Sequence, residues 1–377
     1  MNSKRVWPQI VSATLIGAWV FVAEAQINTG SDGRDGALTP NVDTVINMTD
    51  HPDGIYQYTS VHIPANVTVS FIPNAKNTPV VWLVQNDLTC DGKIVLDGQP
   101  GSGAKGGLGG PGAWAGGSGA PAVTTGEGPG GGGTGCNADH AGFTYGNEFL
   151  IPLLGGSGGG GSTCGSWGGG GGGGAILIAA GGEIKVVGQI TAKAGTANGS
   201  GYSISDTRGG DGCGGAIRLV SSTVSGTGLI STRGGNHSVG QVGRVRFDRY
   251  QSSFAGTIEG TFTQGLQPII LPAAGQFPQL DVISVGGFPV SAPPTGILST
   301  PDALISAQQA NPIPVVVQCS NVPLNTRITV TLKPMNGGPV TGVGYNNTGT
   351  LATSKATVAI NVPRGGGIIY ATATTPQ

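Results

Sequence analysis

Residues 174–195 read GAILIAAGGEIKVVGQITAKAG: an apolar run, a polar break at Gly181-Gly182-Glu183, a second alternation, then the step Gly188-Gln189-Ile190. The same plan recurs in PVVWLVQNDLTCDGKIVLDG (79–98), GAIRLVSSTVSGTGLISTRGG (215–235) and GRVRFDRYQSSFAGTIEGTF (243–262). In each unit the glycine of a Gly-x-Ile step, Gly92, Gly188, Gly228 or Gly256, falls 13 or 14 residues after the unit begins. Ile94, Ile190, Ile230 and Ile258 follow two residues later. A divergent first unit, GIYQYTSVHIPANVTVSF (54–71), carries Asn66 in the glycine's place.

Strands this short, with Val, Ile and Leu at alternate positions, need neighbours to bury their inner face. Stacking the units in parallel supplies those neighbours. The repeat therefore predicts an all-β fold: a parallel, right-handed β-solenoid over 54–265, its coils turned at the recurring glycine and lined by the recurring isoleucine. Residues 26–53 precede it as an N-terminal segment.

Glycine supplies 72 of the 377 residues and charged residues only 10%. A helical protein is disfavoured, since each interior glycine costs a helix about 1 kcal/mol relative to alanine. The glycine is concentrated in insertions at 98–174, 195–215 and 234–243, each leaving the repeat just past the Gly-x-Ile step. From Gly98 to Ala122 every third residue is Gly or Ala, the period of a polyproline II helix. The expectation is a bundle of such segments along one edge of the solenoid, with a mobile glycine-rich flap as the alternative. Trp114, Phe143, Tyr145, Phe149, Trp167 and Tyr202 stand out from this background. They are candidates either for stacking on sugar rings or protein surfaces, or for anchoring the loops to their scaffold.

Residues 1–25 combine Lys4-Arg5, an apolar run from Ile10 to Val22 and Ala23-Glu24-Ala25, the pattern of a cleaved secretory signal. The expected location is extracellular or at the cell surface, with no transmembrane segment in the mature chain. Export permits disulfides. Among Cys90, Cys136, Cys164, Cys213 and Cys319, the pair Cys136 and Cys164 shares one insertion; Cys164 with Cys213, or five isolated small buried residues, are the alternatives. Past a linker at 266–277, residues 278–377 hold several strand candidates bounded by Pro, Gly and Asn, which suits an immunoglobulin-like β-sandwich.

The succession SVHIPANVTVSF, NTPVVWLVQNDL, GKIVLDGQPG, GGGGAILIAA, GGAIRLVSSTVSG and GQVGRVRFDRY resembles that of bacterial secreted glycine-rich β-solenoid proteins of adhesin-like character. The glycine segments are similar to the polyglycine-II layers of phage tail-tip adhesins. The resemblance implies location and architecture, and brings no catalytic motif with it.

The formal charge of −1 and the lack of a basic cluster argue against nucleic acid as a partner. No cysteine or histidine spacing suggests a metal, and no cofactor motif occurs. An enzyme acting on polysaccharide, a lyase or glycosidase, would need grouped carboxylates; the candidates are Asp206 and Asp211, on either side of Arg208. Asp97, Lys193 and Arg233 align in the repeat and suggest a charged ladder. The sequence reading is thus a structural or adhesive protein with carbohydrate or protein partners. The polysaccharide-active enzyme and a self-associating filament subunit are its alternatives.

Overall fold

A computed structural model describes residues 26–136, 140–198, 208–235, 241–270, 278–291, 294, 296, 298, 300–335 and 337–374. The signal-like residues 1–25, the candidates Tyr202 and Asp206, and most of the 266–277 linker lie outside the described residues. The fold is all-β. Its helical content among the described residues is one short 3-10 turn, Met48–Asp50.

Three columns of parallel strands form the first part. One column stacks Ile55–Tyr58, Val80–Val84, Ala175–Ala180, the first halves of Ala216–Gly226 and Arg244–Phe254, and Thr261–Gly265. The second stacks Ala37–Leu38, Ser60–Ile63, Leu88–Cys90, Glu183–Val186 and the second halves of the same two long strands. The third is a six-stranded sheet of Thr44–Asn47, Thr68–Ile72, Lys93–Val95, Gln189–Thr191, Leu229–Ser231 and Thr257–Glu259. The register sets Ile94 beside Ile190, Ile190 beside Ile230 and Ile230 beside Ile258. The first three of these are fully buried in a continuous core with Trp82, Leu88, Ile178 and Phe247.

The stack begins earlier than the expected boundary at Gly54, because Ala37–Leu38 and Thr44–Asn47 already belong to it. Strands of two and four residues carry no visible period. Their turns are built from polar side chains, with Asp43 accepting from the Thr68 amide at 2.8 Å and Asn47 from that of Thr49 at 3.1 Å.

The corner glycines serve close approach. None of Gly92, Gly188, Gly228 and Gly256 has a positive φ. A Cβ on Gly188 would instead land on the carbonyl oxygen of Gly92, one on Gly228 on that of Gly188, and one on Gly256 on that of Gly228. They form a column in which each rung touches the next through bare backbone. The first unit turns with Asn66 at φ 68°.

The outer face of the Ala175–Ala180 column is also buried. Ile27, Leu153 and Ile270 cover Leu177, Ala179 and Val220 there, so AILIAA is apolar throughout, as strands enclosed on both faces are. Past residue 278 the chain builds two antiparallel sheets. Gln279–Val285, Ile313–Ser320 and Ser354–Ile360 anchor one, and Arg327–Pro334 flanked by Val340–Tyr345 and Gly367–Thr374 makes the other. They enclose a separate core of Val315, Val317, Ile328, Val330 and Val358.

Candidate interaction face

The insertions leave the stack side by side. The Gly98 amide bonds to the Lys193 carbonyl at 2.8 Å, and that of Ala194 to Arg233 at 2.9 Å. Beyond the sheets their backbone forms a hydrogen-bonded bundle. Residues 155–162 lie at its centre. Gly156, Gly159 and Ser162 donate to Gly173, Gly170 and Trp167, and Gly158 and Gly161 donate to Glu127 and Thr124. In return Gly156, Gly159 and Ser162 accept from Trp114, Gly117 and Ala120; Ser157 and Gly160 accept from Cys213 and Gly210; Gly158 and Gly161 accept from Gly132 and Gly135. Gly160 donates to His140 at 2.9 Å.

Each set of partners recurs at every third residue, the repeat of the polyproline II helix, and the neighbours run in both directions. Residues 168–174 are surrounded in the same way by 96–99, 107–110, 114–117, 156–159, 195–198 and 210–213. Side chains would obstruct this. A Cβ on Gly159 would land on the Gly210 carbonyl oxygen, one on Gly169 on that of Gly159, and one on Gly172 on that of Gly156.

At the end of the bundle remote from the sheets, Cys136 and Cys164 are joined in a disulfide with their Cα atoms 5.1 Å apart. Cys213, the alternative partner, is a free buried thiol, pushed up to about 11 by burial. Cys90 and Cys319 are free and buried as well.

The aromatic candidates divide. Trp114 is buried and meets Tyr145 edge-on, ring centroids 5.6 Å apart. The Tyr145 hydroxyl donates to the Gly155 carbonyl, and burial drives its phenol far above the usual value. This pair pins the bundle to its base. Trp167 is half-buried at the far turn. Phe143 and Phe149 are exposed, and the Arg246 guanidinium lies 5.1 Å from the Phe149 ring.

Of the two carboxylates that the enzyme reading enlisted, Asp211 is bound into the scaffold, and Asp206 lies outside the described residues. Asp211 is 1% exposed and accepts from the Ala197 amide at 2.6 Å, bracing the second insertion. Asp97 accepts from the Lys193 amide at 2.7 Å, and Arg233 lies 3.8 Å from Glu259, so the expected charged ladder is replaced by a side chain to backbone clasp and a separate ion pair. Asp87 accepts from the Glu183 amide, and Asp91 pairs with His62 at 3.1 Å. Among the described residues no three of His, Cys, Asp and Glu are grouped so that they could hold a metal ion.

One cluster escaped the sequence reading. Arg218 and Arg246 are register partners on the covered outer face, and both bind Asp248, with contacts of 2.8 and 2.7 Å. Arg218 also donates to the carbonyls of Ile269 and Ile270, and Arg246 to that of Glu148. Burial pulls the Arg218 guanidinium below its usual value, and Asp248 opposes that. The three side chains clamp two long connections onto the sheet. Two arginines at one repeat position with an aspartate two residues on was the available signal.

No protein-family model matches the chain, no curated protein matches its sequence, and no solved structure matches its fold. No helix among the described residues is long and apolar enough to cross a membrane.

Proposed function

We propose that this protein is an exported structural or adhesive component of the cell surface or extracellular matrix, and that its glycine-rich edge is the contact face. On this reading the parallel stack is a β-solenoid, the insertions form a polyglycine-II bundle, and the C-terminal unit is an immunoglobulin-like sandwich that acts as a spacer.

The observation that carries the reading is the construction of the bundle. Three insertions share one backbone hydrogen-bond network, which holds a broad surface rigid without an apolar core. A surface ordered in advance loses little conformational freedom on binding. The Cys136–Cys164 disulfide suits an oxidising compartment, in keeping with the signal-like pattern of residues 1–25. Phe143, Phe149 and Trp167 offer the apolar area with which a carbohydrate or protein surface would engage.

The test is adhesion of the purified chain to cell surfaces and glycan arrays, alongside a Phe143→Ala/Phe149→Ala variant of unchanged melting temperature. Loss of about tenfold or more in affinity, roughly 1.4 kcal/mol, supports the edge as the contact. Binding that survives intact places the contact elsewhere.

A further inference from the structure

The two ends of the parallel stack differ in charge and are alike in being open. Where the chain enters, residues 31–53 hold five aspartates, Asp32, Asp35, Asp43, Asp50 and Asp53, against Arg34 alone, a formal −4. At the opposite end residues 233–264 hold Arg233, Arg244, Arg246 and Arg249 against Asp248 and Glu259, a formal +2.

Among the described residues, both ends leave strand edges without a neighbour. Thr44–Asn47 and Thr257–Glu259 are the outermost strands of the six-stranded sheet. Ala37–Leu38 is outermost in its column, and Gln251–Ser253 is unpaired at the other end of that column because Thr261–Gly265 covers only Arg244–Asp248. Exposed apolar side chains accompany these edges, Val42 and Val45 at the acidic end, Tyr250 and Phe262 at the basic end. The connections lie along the side of the stack: Ile27 and Ile270 both pack on the outer face of the sheet.

We propose that the partner for each end is a second copy of this chain, docked acidic end to basic end so that the sheets run on from copy to copy. Thr257–Glu259 of one copy then adds in parallel to Thr44–Asn47 of the next, and Gln251–Ser253 to Ala37–Leu38. An open parallel edge is a template for a strand of matching spacing, and each copy carries one kind at either end. Such a contact is heterologous and propagates. The opposite charges favour this polarity and oppose contacts between like ends.

The remaining column sets one condition. Thr261–Gly265 stands one strand beyond its neighbours, in the place that residues 32–36 take beside Ile55–Tyr58 at the acidic end. Those residues are held there by Asp35 to Gln57 and Thr59 to Gly36 backbone bonds of 3.0 and 2.8 Å and by the Asp35 carboxylate on the Gln57 amide. In the assembly they give up that place to Thr261–Gly265 of the neighbouring copy. Each column then contributes six strands per copy, so at roughly 4.8 Å per strand the axial repeat is about 29 Å.

Electron cryomicroscopy and sedimentation of the purified full chain at low ionic strength test this. The expected result is a linear assembly with an axial repeat of about 29 Å. It should shorten as salt screens the ends, and it should be absent in Val45→Lys, an exposed position where the variant's melting temperature reports that the fold is kept. A chain that stays monomeric up to its solubility limit, a closed dimer of like ends, a different repeat, or an assembly indifferent to Val45→Lys overturns the proposal.

Discussion

Glycine acts here through what it lacks. At Gly159 the nearest atoms to an added methyl belong to the backbone of Gly210 and Asp211, and backbone held by its own hydrogen bonds cannot step aside. Gly159→Ala is therefore expected to destabilise by about 1–3 kcal/mol, the usual range for overpacking. Gly338→Ala is the control: nothing lies within 4 Å and its φ is not positive, so stability should hold or rise by about 0.4–1 kcal/mol. Urea unfolding of the two variants reads the contrast directly, and equal effects would mean that packing at Gly159 is looser than described. The sequence reading located the corner glycines but gave them a conformational role. Contact between rungs exists only once the register is known, and the glycine column is a property of that register.

Among elements, the strands were far more legible than their surroundings. A constant spacing from unit start to Gly-x-Ile puts the same residue on the same face in every unit, so the ladder from Ile94 to Ile258 could be read from one chain. The outer face could not. AILIAA and AIRLV are apolar or buried on both sides, which erases the period of two, and what covers them arrives from residues 27, 153 and 270, remote in sequence. The Arg218, Arg246 and Asp248 cluster was hidden for that reason. The bundle presents the opposite case, its period of three being visible while its neighbours were not, since identical glycines do not say which segment lies beside which. The disulfide closes 28 residues within it, and chain entropy assigns such a crosslink roughly 3–4 kcal/mol. Cys136→Ser/Cys164→Ser, or a reductant, should thus strip hydrogen-exchange protection from the amides of Gly158 to Gly161 while those of Ile176 to Ala180 keep theirs. Loss of protection in both regions together would make the bundle and the sheets one cooperative unit.

At the scale of the whole molecule, the two largest cores among the described residues share no buried residue, one running through the parallel stack and one between the antiparallel sheets. A fragment spanning 278–377 is accordingly expected to fold alone and to unfold in a single cooperative transition by circular dichroism. A gradual, non-cooperative melt would show that it leans on the rest of the chain. The composition shift near residue 266 is the sequence feature that suggested this division. The earliest strands of the stack, Ala37–Leu38 and Thr44–Asn47, were missed, since they carry neither the glycine nor the isoleucine that mark the later units.

The network around residues 155–162 carries a consequence for how such a protein can change over generations. Because every partner recurs at the third residue, adding or removing three residues in an insertion advances a segment by one turn and returns each amide to a carbonyl. One or two residues rotate it by a fraction of a turn and leave its donors facing the wrong neighbours. Length variation in these loops should therefore be tolerated in triplets. The outer turns, freed from any duty in the lattice, are then the places where new side chains can be tried without disturbing the frame that displays them.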